Sequence, residues 1–251
     1  MRIRRFISAA AILSTSLAVG SADAQTSYEK IEVGTVLTSA GISLSSFAKP
    51  IPFPEGEWVV VGKRIENLPL SGGREKSTPK VFLTLKNDTA NSPIFAMVMA
   101  FTPNSVPINW GNTKCESSNP KTLVDDYGTT PDSMLYVCGV VNSFSNFKKM
   151  VAASPASSNQ WMKTNFSGLV QYPDTISDNV LWINVNGNRF RGKSFNFTFF
   201  VKRKGDVATD SDYAKYIKDW THATGLALSN ALENKEAKFT LPEVFAAKVT
   251  Q

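Results

Sequence analysis

The 251-residue sequence has one histidine, His222, and two cysteines, Cys115 and Cys138. So short a supply excludes a histidine- or cysteine-built tetrahedral zinc cluster, and no metal site is expected. The Gly-x-Ser-x-Gly elbow of serine hydrolases is missing, as is the His-Glu-x-x-His pair of metallopeptidases. Ser71-Gly72-Gly73-Arg74 offers backbone amides but lacks the lysine and the strand–loop–helix setting of a nucleotide loop. Asp210-Ser211-Asp212 begins like a calcium loop but lacks its glycine and terminal glutamate, and helix capping explains it better. Lysines are scattered, with no basic block of the kind that tracks nucleic acid. The composition therefore points to no cofactor, no nucleic-acid partner and no recognisable catalytic set.

What the chain does have begins at its N-terminus. Arg2, Arg4 and Arg5 precede a short apolar stretch from Phe6 to Val19, and Ala22-Asp23-Ala24 is a small-x-small cleavage site. This is the plan of a secretory signal peptide, with residues 1–24 removed and Gln25 at the mature end. The stretch is too short and too broken by serine for a spanning helix. Cleavage removes three arginines and Asp23, so the formal charge of +6 becomes +4. No second long apolar run follows, and no transmembrane segment is expected after cleavage. Residues 25–251 read as a single domain, exported to the periplasm or the extracellular space. In that oxidising setting Cys115 and Cys138 are expected to form a disulfide closing a long polar excursion.

The hydropathy pattern is mostly that of strands. Residues 57–66 (EWVVVGKRIE) and 80–86 (KVFLTLK) are rich in β-branched and alternating apolar residues. PIFAMVMAF (93–101) is apolar on both faces, as a central strand would be. Further strands are expected at 133–141, 180–185 and 194–202, and a strand is also compatible with YEKIEVGTVL. Asn186-Gly187 between two strand-like runs is a strong hairpin-turn signal, since such a turn needs positive φ at both positions. Phe144, Phe147, Met150 and Val151 have helical spacing, limited by Pro155. A final helix is expected at about 211–234. The fold class is thus α+β, a mostly antiparallel sandwich or strongly curved sheet with one amphipathic helix packed on it. The alternative is a helix-grip arrangement enclosing an apolar cavity.

At 100° per residue, Tyr213, Tyr216, Ile217, Trp220, Thr224, Ala227, Leu228 and Ala231 fall on one stripe of that helix. Lys215, Lys218, Asp219, His222 and Ser229 fall on the other side. His222 is therefore expected to face solvent, away from the sheet, which makes it a poor candidate for a general base. No catalytic residue is assigned. Aromatic residues are the candidates for ligand contact: Trp110 and Trp161 in polar stretches, and Trp220 with Tyr216 above any cavity under the helix. The leading function is a non-enzymatic exported domain that binds a ligand or protein partner. The alternative is a hydrolase using two carboxylates from Glu55 and Glu57, Asp125 and Asp126, or Asp174 and Asp178, acting on envelope or extracellular polymers.

Overall fold

The structure is a computed structural model. It describes residues 26–37, 41–43, 50–51, 53–54, 56–69, 75–86, 93–102, 123–130, 135–189, 194–203 and 211–232. Residues 1–24, read from sequence as a signal segment, lie outside them, as do Cys115, Trp110, Glu55, residues 71–74 and Asp210.

The chain forms an open antiparallel sheet. Its main strands are β4 (Trp58–Pro69), β5 (Glu75–Leu85), β6 (Ile94–Thr102), β7 (Leu123–Thr130), β8 (Leu135–Phe144), β9 (Val180–Arg189) and β10 (Ser194–Lys202). Three two-residue strands precede them: β1 (Thr26–Ser27), β2 (Val36–Leu37) and β3 (Ile42–Ser43). The order is β2-β4-β5-β6-β10-β9-β8-β7, with β1 and β3 paired separately in parallel. Two meanders, β4 to β6 and β7 to β10, are joined where the last strand returns to β6. That placement explains the two-faced apolar character of 93–101, since β6 lies in the middle of the sheet.

One face is apolar across the five strands from β5 to β8 in the sheet order. Leu83, Met97, Phe199, Ile183 and Val141 are register neighbours on five successive strands, and all are buried. Helix α3 (Ser211–Leu232) covers part of this face, over β7, β8 and β9. Trp220, 3% exposed, meets Phe199 edge to face at 5.3 Å. The N-terminal segment covers another part, with Tyr28 edge to face on Phe101 at 5.4 Å and Trp58 donating through Nε1 to the Pro54 carbonyl at 2.8 Å.

The opposite face changes character along the strands. At one end it carries Phe200 and Phe95, the latter brought round by a bulge where Phe200 pairs with Ala96 and Val201 with Ile94. Residues 147–175 fold over this end as α1 (Phe147–Ala153), α2 (Gln160–Phe166) and short 3₁₀ turns. Phe147 and Phe166 seat on Phe200 at 5.5 and 5.7 Å. Gly168 lies so close to the Val61 carbonyl that a Cβ there would collide with backbone. Thr175 Oγ1 meets Thr84 Oγ1 at 3.5 Å in a buried polar contact.

Several expectations need correction. Asn186-Gly187 is not a turn, because both residues lie inside β9, and Gly187 pairs with Phe195 and Val137. A Cβ on Gly187 would run into the Phe195 ring, so this glycine makes room for packing and not for a bend. The 115–138 excursion contains strand β7, paired with β8. Residues 28–37 form a 3₁₀ turn at Tyr28–Lys30 and the two-residue β2 in place of one strand. Ser229 is buried, its hydroxyl donating to the Gly225 carbonyl at 2.7 Å, so the polar side of α3 is narrower than its sequence implies. The helix-grip variant is not supported. The sheet is open, Trp220 packs on Phe199, and the cleft described below lies on the other face.

Candidate functional site

The other end of the second face is polar, and among the described residues it forms a cleft of about 250 Å³ beside α2. Its floor comes from the β9–β10 hairpin. Strand alternation puts Asn196 and Thr198 of β10 on this face, and the register sets them against Asn186 and Asn184 of β9. Trp182 occupies the next position along β9, opposite Phe200.

The three asparagines form a closed ring of side-chain amides. Asn184 Nδ2 donates to Asn196 Oδ1 at 2.9 Å, Asn196 Nδ2 to Asn186 Oδ1, and Asn186 Nδ2 to Asn184 Oδ1 at 2.5 Å. All three amides must point the same way round, since reversing one would set two carbonyls or two N–H groups against each other. Asn184 Nδ2 also donates to Thr198 Oγ1 at 2.8 Å, which uses both of its hydrogens. The ring leaves one amide hydrogen on Asn186, one on Asn196 and the Thr198 hydroxyl hydrogen for other partners.

The far wall comes from β4 and β5, where Glu66 pairs with Thr78 and Arg64 with Lys80. The Glu66 carboxylate is held by both Arg64 and Lys80, and all three side chains are mostly buried. The Arg64 guanidinium lies 5.2 Å from the centre of the Phe82 ring. Burial lowers its pKa from the ordinary arginine value, opposed by the charge and hydrogen bond of Glu66. Thr78 is only 7% exposed, lines the cleft, and its hydroxyl has no hydrogen-bond partner among the described residues. A buried hydroxyl in this condition is uncommon and costs stability. Val98 and Ala100 of β6 form an apolar strip between floor and wall, and Asn165 of α2 closes the rim.

Among the described residues, the cleft lining holds one carboxylate, Glu66, flanked by two cations. His222 is exposed on α3, which packs on the other face. Among the described residues no three His, Cys, Asp or Glu side chains converge.

The residues singled out from sequence fall elsewhere. Trp220 and Tyr216 belong to α3, the first buried and the second half-buried, and neither lines the cleft. Trp161 lies in α2, with its side chain outside the described part, and Trp110 lies outside altogether. Cys138 is buried in β8 in register with Asn186, while Cys115 is not among the described residues. Asp174 and Asp178 are exposed, and Glu57 is exposed beside Lys86 at 3.3 Å. Sequence reading missed Thr78, Lys80, Glu66 and the asparagine ring. A usable signal was present: amides and hydroxyls recur at alternate positions in Trp182-Ile183-Asn184-Val185-Asn186 and Asn196-Phe197-Thr198, inside otherwise apolar strands. Comparison with protein-family models, curated proteins and solved structures finds no match.

Proposed function

We propose that this chain is an exported binding domain whose cleft on the outer sheet face holds a small polar ligand. The observation that carries this reading is the Thr78 hydroxyl, buried and without a partner among the described residues, at a cleft that also presents the remaining amide hydrogen of Asn196. Export rests on the signal-like residues 1–24, and oxidative export would join Cys115 to Cys138. Intact mass of the secreted protein checks both: it should begin at Gln25 and gain two hydrogens' mass on reduction. A two-carboxylate hydrolase is less favoured, because Glu66 stands alone as an acid in the described lining.

Thermal unfolding in the presence of hexoses, amino acids, nucleosides and inorganic phosphate tests the binding reading. At least one class should raise the Tm of the wild-type protein and leave that of Asn196→Ala unmoved. A Tm that no class raises, or that rises equally in both proteins, contradicts it.

A further inference from the structure

Resting on the proposal that the cleft is a ligand site, we infer that its ligand is a saccharide, bound through the hydroxyls of one sugar ring. The unused hydrogen-bonding capacity of the lining is neutral and mixed. Among the lining residues, Thr198 has accepted from Asn184 and has a hydroxyl hydrogen left, Asn196 keeps one amide hydrogen beyond its bond to Asn186, and Thr78 can both donate and accept. Sugar hydroxyls also donate and accept, and amides and hydroxyls at successive positions of a rigid sheet match a row of them.

The charged wall does not suit a simple ion. Glu66 already accepts from Arg64 and Lys80, so a free cation would meet two positive groups and a free anion would have to displace the carboxylate. Trp182 and Phe200, with Val98 and Ala100, supply the apolar surface that the C–H face of a sugar ring requires. The volume of about 250 Å³ is slightly below the usual range for small-molecule sites, which limits the enclosed part to about one ring. The ring amides are fixed by one another before a ligand arrives, so little ordering entropy is left to lose on binding.

Calorimetric titration of the mature protein with glucose, galactose, mannose and N-acetylglucosamine tests this, with serine, glycine and inorganic phosphate as controls. At least one sugar should bind, and both Asn196→Ala and Thr78→Val should weaken it by about tenfold. Asn196 is exposed and Thr78→Val preserves side-chain shape, so both variants should keep the far-UV spectrum of the wild type. Binding of serine, glycine or phosphate without any sugar overturns the saccharide assignment and leaves the cleft standing as a site. Sugar binding that both variants leave intact places the sugar elsewhere and overturns the assignment. No binding by any probe in titration or thermal unfolding overturns both readings.

Discussion

Asn184 donates to Asn196 at 2.9 Å although the strand register sets Asn184 against Thr198 and Asn196 against Asn186. The bond is diagonal, and it closes three amides into a ring that direct cross-strand pairs alone would not make. A diagonal contact of this kind is within reach of side chains on adjacent antiparallel strands. Removal of any member leaves a donor on one neighbour and an acceptor on the other without their partners. Asn184→Ala and Asn196→Ala should each destabilise by about 1 kcal/mol. The double variant should cost less than the sum, with a coupling of about 0.5 kcal/mol or more in urea unfolding, because the first change already breaks the ring. Strict additivity would mean that the ring is three independent bonds.

Thr78 shows the opposite balance. Its buried hydroxyl lacks a partner among the described residues, so Thr78→Val should stabilise the ligand-free protein by about 1 kcal/mol while weakening ligand binding. Urea unfolding without ligand checks the first part. A destabilised Thr78→Val would show that the hydroxyl is already satisfied.

Gly187 is held by packing. Gly187→Ala should cost about 1–3 kcal/mol, since the added methyl meets the Phe195 ring in a filled core. Combining it with Phe195→Leu should cost less than the two single changes together, because the smaller side chain yields the space. Full additivity in a double-mutant cycle would locate the strain elsewhere.

Tyr28 sets an alkaline limit. Burial, with the Glu29 carboxylate adding to it, raises its pKa above the ordinary 10.0. The folded protein therefore keeps the phenol proton more tightly than the unfolded chain does. The contribution to stability is full below about pH 10 and falls as pH rises through the higher folded value. Unfolding at pH 9 and pH 11 should show a smaller loss in Tyr28→Phe than in the wild type. Equal losses would assign the alkaline effect to the lysines.

The strands and the final helix were legible because their hydropathy is regular: β10 matches residues 194–202, and α3 begins at Ser211 as expected. The Asn186-Gly187 signal misled because glycine has two uses. Here a missing Cβ serves the Phe195 ring across the sheet, and no local pattern separates that from a turn. The cleft was harder to see. Glu66, Thr78 and Asn196 come from three strands whose adjacency depends on β10 returning beside β6, a long-range pairing. The aromatic residues drew notice first. Trp220 instead serves the core, and Trp182, passed over inside an apolar strand, lines the cleft.

The most direct measurement is a ¹⁵N-resolved NMR titration of the side-chain N–H signals with the four sugars. The amide signals of Asn196 and the indole signal of Trp182, both lining the cleft, should move with one saturation curve. The indole of Trp220, packed on Phe199 across the sheet, should stay in place. Unmoved Asn196 signals, or a shift at Trp220 without one at Trp182, would contradict the saccharide assignment.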